Sequence, residues 1–249
     1  MKHKIPRIYM KEHLQINQTY NLSKDNSHYL SKVLRIKIQD KIEIFNNTNY
    51  VFFAKIICIT FHAIKIKIYK NEIKNNESSI NIHIGQVISK NDKIEFIIQK
   101  STEMGIKQIT PLFSENCNIQ QKFFNFSHKI KRWKKIIISS CQQCNRNIIP
   151  KIKKPEDILS WCKNNKKNDM KIIFHPESDV TINQLTEFKK YIRIVIGPEG
   201  GFSKNEIKKI IKCGFTSVKL GPRILRTETA AIVAITALQT KFGELKNSF

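Results

Sequence analysis

The feature that most constrains this chain is a pair of glycine-proline loops, each of which follows directly on an apolar, strand-like run. The first loop lies in residues 194–203 (IVIGPEGGFS) and the second in residues 218–228 (VKLGPRILRTE). Five of the chain's eight glycines fall between Gly197 and Gly221, which indicates backbone that bends sharply or lies close to a ligand. Each loop leads into a helical pattern, and α/β proteins bind ligands at such strand-loop-helix junctions.

The residues of the loops limit the kind of ligand. Ser203 and Glu206 have capping-box spacing, so a helix is predicted to begin just after Gly201, and its N-terminus would favour negative groups. A tight turn between strand and helix would use the same residues. The Walker pattern of phosphate loops and the Gly-x-Gly-x-x-Gly pattern of dinucleotide folds are both missing. Two rigid loops rich in exposed carbonyl and N–H groups instead suit a flat heterocycle with its ribose.

The strand and helix patterns change in type along the chain, which predicts two domains. Residues 41–69 alternate or run apolar like short strands, after a short helix over 27–37. A polar linker is predicted over 71–79, and beyond it strands alternate with helices, which indicates a mainly parallel sheet. We therefore predict an α/β chain with a small β-rich domain at 1–72 and a larger domain at 73–249. In the larger domain, strands are predicted over 82–88, 108–113, 170–174, 192–196 and 215–220, and helices over 91–104, 127–144 and 227–241.

The last predicted helix carries small residues on one stripe. Two explanations stay open for the stripe, namely close packing in the domain core and a dimer seam. The residues are Ala230, Ala231, Ala234 and Ala237.

A formal charge of +24 favours a polyanionic partner, most often nucleic acid. Compositional drift competes with this explanation, because the chain is rich in Lys, Asn and Ile. Only seven of the 44 basic residues are arginine. Arginine differs from lysine where a contact is planar, bidentate or stacked, so the arginines are candidates for specific contacts. They are Arg7, Arg35, Arg132, Arg146, Arg193, Arg223 and Arg226.

Several classes of protein fit the sequence poorly. Six cysteines in 249 residues do not resemble a disulfide scaffold. No leader pattern opens the chain and no apolar run reaches the roughly 18 residues of a membrane span, so a cytoplasmic protein without membrane contact is predicted. The pair Cys141 and Cys144 has no second pair at zinc spacing, so no metal is expected. For His175, which precedes Pro176, a role in the loop is favoured over acid-base chemistry.

Motifs spread over nearly the whole chain carry a resemblance to a known family. The most specific are 197–201 (GPEGG) and 220–228 (LGPRILRTE). The others are 6–9 (PRIY), His28 with 33–35 (VLR), 84–87 (IGQV), 99–105 (QKSTEMG), 111–117 (PLFSENC) and 143–146 (QCNR). With these residues the chain resembles the RsmE family of 16S ribosomal RNA uridine methyltransferases, within the SPOUT superfamily.

Two positions depart from the family pattern. Asn145 stands where the family usually has glycine, and asparagine is the next most tolerant residue for a positive φ, so the turn is expected to survive. Phe202 replaces a smaller residue after the Gly-Gly pair. Neither change removes a polar group that the resemblance assigns to ligand binding.

The resemblance implies a PUA-like N-terminal domain that grips RNA and a C-terminal SPOUT domain with a parallel sheet and a deep trefoil knot. It also implies S-adenosylmethionine in the knot and a homodimer that completes the site. The implied cofactor residues are Phe174, His175, Ile196, Gly197, Pro198, Gly200, Gly201, Leu220, Gly221, Pro222, Ile224 and Leu225. The implied RNA contacts are Arg7, Tyr9, Arg35, Lys100, Arg146 and Arg223.

The implied reaction moves a methyl group to N3 of a uridine in the decoding region of 16S RNA, within the small ribosomal subunit. Neutral N3 is a poor nucleophile, and its deprotonation spreads negative charge onto two carbonyl oxygens. A guanidinium would stabilise that anion, and Arg226 is the candidate. Glu199 is either a general base or a loop-stabilising acceptor. Two alternatives are a SPOUT enzyme that acts on transfer RNA and a non-catalytic RNA-binding or assembly protein.

Overall fold

The structure, a computed structural model, describes residues 5–60, 63–117, 126–164 and 168–246. The opening residues 1–4, which belong to the segment without a leader pattern, lie outside this description. Contacts divide the chain into two compact units. The first comprises Met1–Glu77 and Cys141–Ile149, and the second comprises Ser78–Ser140 and Pro150–Phe249. Segment 141–149 thus packs with the first unit, although the sequence interpretation had placed it with the second.

The first unit is built on a five-stranded sheet in the order β1-β3-β4-β5-β2. Strand β1 is parallel to β3, and the other neighbours are antiparallel. In the first half of β5 every second residue enters the core: Ile64, Ile66 and Ile68 are buried, while the lysines between them are exposed. The strands are β1 (Arg7–Tyr9), β2 (Thr19–Asn21), β3 (Lys41–Phe45), β4 (Tyr50–Ile59) and β5 (Ile64–Ile73).

Two predictions for this unit were partly wrong. The helix predicted over 27–37 is a short helix α1 (Lys24–His28) followed by a π-helical turn (Tyr29–Val33). Arg35 has a φ of +52°, which cannot continue a right-handed helix. Strand β5 continues to Ile73, which pairs with Tyr50, so the first three residues of the predicted linker belong to the sheet.

The second unit contains a seven-stranded sheet in the order β12-β10-β11-β6-β7-β8, with β9 also paired to β7. Every pair in it is parallel, which confirms the predicted α/β class. Central strands in such a sheet are covered on both faces, and residues 192–196 of β11 are all buried. The strands are β6 (Asn81–Val87), β7 (Gln108–Phe113), β8 (Lys151–Ile152), β9 (Glu156–Asp157), β10 (Met170–Phe174), β11 (Tyr191–Ile196) and β12 (Thr216–Val218).

The long helices after residue 78 match their sequence patterns, whereas several short elements were not predicted. Gly105 follows the second helix at a φ of +82°, the conformation that ends a helix best in glycine. Strands β1, β2, β8 and β9 and the fourth helix were missed, and β12 is shorter than predicted. The helices are α2 (Asn91–Glu103), α3 (Phe126–Cys144), α4 (Ile158–Lys163), α5 (Lys204–Lys212) and α6 (Thr227–Phe242), with a 3₁₀ turn at Ile182–Gln184.

Helix α6 packs its small residues inside the second unit. Ala231 and Ala234 are fully buried, and α6 lies against α2 and β11. Packing within the domain therefore accounts for these two members of the small-residue stripe. In the part of the chain that the structure describes, no helix combines the length and the apolarity that crossing a membrane requires.

The strand order decides where the loops meet. Strands β12, β10 and β11 are direct neighbours and all parallel. Their carboxyl ends therefore lie at the same edge of the sheet, where open α/β folds bind ligands. The segment after β10 begins at His175, the first glycine-proline loop follows β11, and the second follows β12.

Candidate functional site

A cavity of about 650 Å³ opens where these three strand ends meet. Its volume lies within the range of small-molecule sites. Helix α2 contributes Lys93 to one wall, and the first turn of α6 contributes Thr227 and Ala230. The other lining residues are Phe174, His175, Pro176, Ile196, Gly197, Pro198, Glu199, Gly200, Gly201, Phe202, Leu220, Gly221, Arg223, Ile224, Leu225 and Arg226.

The first loop has the local structure that its sequence predicts. The Ser203 side chain accepts from the Glu206 N–H at 3.0 Å, and Glu206 accepts from the Ser203 N–H at 3.2 Å. This capping box begins α5 after the Gly-Gly pair, as predicted, and Gly201 has a φ of +71°. A Cβ on Gly197 would lie 2.9 Å from the Phe202 ring, so a larger residue at 197 would require the ring to shift.

Segment 114–117, which follows β7, clamps this loop, and sequence reasoning missed its role. The Glu115 N–H donates to Glu206 Oε1 at 2.8 Å, and Ser203 Oγ donates to the Glu115 carboxylate at 2.6 Å. The Asn116 side chain donates to the Gly201 carbonyl at 3.1 Å. Glu206 is 1% exposed and uses both carboxylate oxygens. The loop is therefore held by three separate side chains.

A buried chain of hydrogen bonds links the first loop to the start of α6. Thr227 Oγ1 donates to the Gly197 carbonyl at 2.7 Å, and the Gln86 amide donates to Thr227 Oγ1 at 3.0 Å. Gln86 is fully buried on β6, beside Ile196 on β11. Both loops thus take their position from one central strand. The motif at 84–87 pointed to this residue, but its partner was 141 positions away in the sequence.

The second loop is the exposed wall of the cavity. Gly221 has a φ of +115°, a Cβ at this position would meet no atom of other segments within 4 Å, and the Ile224 side chain is 86% exposed. Arg226 is the exposed N-cap residue of α6, and its side chain makes no capping bond. Glu228 follows in the first turn, and its Oε2 is buried without a hydrogen-bond partner among the described residues. A cationic and an anionic side chain therefore adjoin at this helix start.

Glu199 forms an ion pair across the cavity. Its carboxylate lies 2.6 Å from Lys93 Nζ of α2, and the two side chains are 23% and 28% exposed. The hydrogen bond to Glu199 raises the pKa of Lys93. Two roles were considered for Glu199, a general base and an acceptor that stabilises the loop. This contact supports the second role.

The predicted catalytic and cofactor residues come together at the cavity with one exception. Arg226, Glu199 and Arg223 all line it, whereas Pro222 does not belong to the lining. His175 Nδ1 accepts from the Glu177 N–H at 3.3 Å, which agrees with the loop role favoured for it. The other predicted cofactor residues all belong to the lining described above.

The predicted RNA contacts divide into buried and exposed side chains. Arg7 is 8% exposed and donates to the carbonyls of Cys141 and Arg146 at 2.7 and 3.0 Å. Arg146 is 3% exposed and binds Glu77 through two hydrogen bonds of 3.0 and 2.7 Å. Both guanidinium groups are thus engaged within the first unit, and the RNA contact assigned to them gains no support from these bonds.

The other predicted RNA contacts remain open to solvent to different degrees. Arg35 and Arg223 are exposed, and Tyr9 is half-buried, with its ring 5.4 Å from that of Phe45. Lys100 forms an ion pair with Glu103 at 2.9 Å. Asn145 has a φ of +64°, so asparagine does support the turn where the family usually has glycine.

The two buried cysteines, Cys141 and Cys162, are structural rather than reactive. Burial raises the pKa of Cys141 and of Cys162 to about 12. At pH 8 only roughly one such thiol in ten thousand is a thiolate. We expect iodoacetamide to modify the exposed Cys58 and to leave Cys141 and Cys162 intact, as measured by mass spectrometry of the native protein. Denaturant should make all three react, and labelling of Cys141 at the rate of Cys58 in the native protein would contradict the expectation.

Among the described residues, no cluster of three metal-ligating side chains occurs.

Comparison with known proteins identifies the family. A family model described as an RNA methyltransferase domain matches residues 76–239, and one described as an RNA methyltransferase PUA domain matches residues 22–69. Ribosomal RNA small subunit methyltransferase E of Buchnera aphidicola is 62% identical over 243 residues, which cover 98% of this chain and 96% of the relative. This chain belongs to the family of ribosomal RNA small subunit methyltransferase E. The RsmE resemblance drawn from the motifs is therefore confirmed.

Two similar solved structures share the fold and hold a common ligand. A methyltransferase from Legionella pneumophila with bound S-adenosylmethionine has a TM-score of 0.93 and 35% identity, over 97% of this chain and 99% of that one. Ribosomal RNA small subunit methyltransferase E from Neisseria gonorrhoeae, also bound to S-adenosylmethionine, has a TM-score of 0.91 and 31% identity, over 96% and 99%. The PUA-like and SPOUT fold class is thereby confirmed.

Proposed function

We propose that this protein transfers the methyl group of S-adenosylmethionine to N3 of a specific uridine in the decoding region of 16S ribosomal RNA. The supporting observation is the cavity at three strand ends with the Arg226 side chain at its wall. Family membership supports the ribosomal RNA substrate, and the nucleotide, the N3 position and the decoding region rest on the motif resemblance.

The residues present fit S-adenosylmethionine. The cavity combines apolar walls, such as Phe174 and Leu225, with exposed backbone at the glycines. Gly221 has a φ of +115°, and a Cβ at this position would meet no atom of other segments within 4 Å, so the backbone here can lie close to a ligand. When bound, the cofactor supplies an activated methyl group. The chain's own task is then to orient the two reactants and to prepare the uridine.

The uridine needs a positive group beside its carbonyl oxygens. Loss of the N3 proton places negative charge on those oxygens, and Arg226 is the exposed guanidinium on the cavity wall that would stabilise it. Glu199 is paired with Lys93, so we assign it to holding the first loop. A general base at Glu199 remains the alternative, and Glu199→Gln distinguishes the two. Loss of cofactor affinity alone supports the loop role, and loss of the chemical step alone supports the base.

The target base has to leave its stacked or paired position to reach the cavity, at a cost of about a few kcal/mol. Arg223, Arg35 and Tyr9 are the exposed or half-buried candidates for contacts that offset this cost.

We also propose a homodimer, because Ile224 presents an 86% exposed apolar side chain on the cavity wall. We further propose that the loops after β10, β11 and β12 form a trefoil knot. We also propose that the protein is cytoplasmic.

The function is tested by mapping methylated uridines in small-subunit RNA from cells that lack this protein. We expect one N3-methyluridine to disappear and to return when the wild-type protein is restored. An unchanged small-subunit RNA together with an altered transfer RNA would contradict the proposed substrate.

The clamp on the first loop gives a separate prediction for cofactor binding. Glu206→Ala removes the acceptor of both the Glu115 and the Ser203 N–H groups, so the loop loses two fixed points. We expect the affinity for S-adenosylmethionine, measured by calorimetry, to fall about tenfold, which corresponds to the roughly 1–2 kcal/mol of a lost cap.

Glu206→Gln serves as the control, because its amide oxygen can keep one of the two bonds. We expect its loss of affinity to be smaller than that of Glu206→Ala. Wild-type affinity in Glu206→Ala, with α5 still folded by circular dichroism, would show that the clamp does not position the cofactor loop.

A further inference from the structure

The solvent-facing side of the first unit's sheet carries lysines in a row. Lys41 on β3 lies directly opposite Lys55 on β4, and Lys55 lies directly opposite Lys67 on β5. Neighbouring strands are about 5 Å apart, so three like charges follow one another across three strands. A fourth, Lys65, lies two residues before Lys67 on the same face. We call these four residues the lysine face.

The alternation of the strands fixes this side as the exposed one. The residues on either side of Lys67, Ile66 and Ile68, are fully buried, and the same holds for Ala54 and Ile56 around Lys55. All four residues of the lysine face are exposed. Within the described residues, none of them forms an ion pair. Glu43, two residues after Lys41 on β3, lies 3.7 Å from Arg7 Nε instead.

Such an arrangement costs stability when the protein is alone. Like charges directly opposite each other on adjacent strands are destabilising, and here Lys55 has a like charge on both sides. A lysine-rich composition explains many exposed lysines, but it does not explain a row without acidic residues in between. A bound polyanion would relieve the repulsion.

An aromatic pair lies beside the row. Phe53 precedes Lys55 by two residues on β4, and its ring centroid lies 6.5 Å from that of Tyr69, which is 39% exposed. Lys70 Nζ lies 5.8 Å from the centroid of Phe53. Positive charge that tracks a backbone, combined with aromatic rings on which bases stack, is typical of surfaces for single-stranded nucleic acid.

We propose that the lysine face, with Phe53 and Tyr69, binds a single-stranded segment of the substrate RNA. The proposal rests on the proposed function, because that function makes RNA the partner. The lysines contact phosphates, and the aromatic pair stacks an unpaired base. Thr19 and Asn21 on β2, opposite Lys67 and Lys65, extend the surface with uncharged polar groups.

The test uses Lys55→Glu in the full chain. We expect its affinity for a fluorescent single-stranded oligonucleotide from small-subunit RNA to fall about tenfold, and the slope of log affinity against log salt to shrink by about 0.7 or more. The melting temperature should rise or stay equal, because two repulsive cross-strand pairs become attractive. Weaker binding by a protein that is no less stable excludes misfolding as its cause.

Two further variants sharpen the result. Lys208→Glu, at an exposed lysine of α5, makes the same change in net charge and should bind the oligonucleotide like wild type. Tyr69→Ala removes a stacking ring without a charge, so affinity should fall severalfold while the salt slope stays unchanged.

Three outcomes would overturn the proposal. The first is wild-type affinity of Lys55→Glu for the oligonucleotide, and the second is an equal loss of affinity in Lys55→Glu and Lys208→Glu. The third is a loss of affinity for anionic phospholipid vesicles but not for RNA.

The proposed function is judged separately by methyl transfer. If wild type fails to methylate but Lys55→Glu still weakens RNA binding, the function falls and the lysine face stands. If wild type methylates and Lys55→Glu leaves the KM for RNA unchanged, the lysine face falls alone.

Discussion

Replacing Arg226 by alanine is expected to lower kcat for methyl transfer about 100-fold to 1000-fold, the range for loss of one charge-stabilising group in a transition state. The reason is electrostatic, because the uridine anion would lose the guanidinium at its carbonyl oxygen. Arg226 makes no capping bond and is exposed, so its removal leaves the loop and α6 intact. Single-turnover kinetics with saturating RNA and cofactor measure the effect on the chemical step.

Cofactor affinity separates this role from a structural one. Calorimetry should show S-adenosylmethionine binding to Arg226→Ala within about threefold of wild type, since ΔG would change by well under 1 kcal/mol. Arg223→Ala, in the same loop, is the matched control and should raise the KM for RNA more than it lowers kcat. Near-normal turnover of Arg226→Ala with saturating RNA would remove Arg226 from the chemistry.

Glu77→Ala is expected to lower the free energy of unfolding by about 3 kcal/mol or more. Glu77 accepts two hydrogen bonds from Arg146, and the two side chains are 9% and 3% exposed. Removing one partner of a buried pair leaves an uncompensated charge, which typically costs about 3–5 kcal/mol. Urea unfolding at neutral pH, followed by circular dichroism, measures the change.

Glu72→Ala provides the comparison within the same unit. Glu72 pairs with Lys70, and both side chains are about half exposed at 48% and 56%, so its loss should change the unfolding free energy by less than about 1 kcal/mol. Equal effects of the two substitutions would show that burial does not decide the strength of the Glu77–Arg146 pair.

The arginines show that a sequence can predict the kind of contact a side chain makes without predicting its partner. Their scarcity predicted specific planar contacts, and such contacts exist: Arg7 lies 4.3 Å over the Phe45 ring, and Arg193 lies 3.9 Å over the Trp161 ring. Both groups, like Arg146, bind within the protein. The sequence indicates that a guanidinium makes a planar contact, but not whether its partner is a carbonyl or a phosphate. For Arg7 the partner is a carbonyl more than 130 positions away in the chain.

Short elements and long-range clamps were also beyond sequence reasoning. Strands β8 and β9 are two residues each, which is too few for a period to appear. The roles of Glu115 and Asn116 depend on loop residues 88 and 85 positions away. By contrast, the Ser203–Glu206 capping box joins residues three apart, and its prediction was correct in both directions.

The sequence by itself determined what depends on neighbours along the chain: the parallel α/β class, the two glycine-proline loops, the start of α5 and the membership of the RsmE family. Only the tertiary structure decided that the loops after β10, β11 and β12 share one cavity, that Gln86 and Thr227 tie the first glycine-proline loop to the start of α6, and that three lysines align across β3, β4 and β5. The physical reason is that local dihedral preferences and apolar periods are determined by residues close together in the chain. Strand order and cross-strand register are instead set by packing between distant segments.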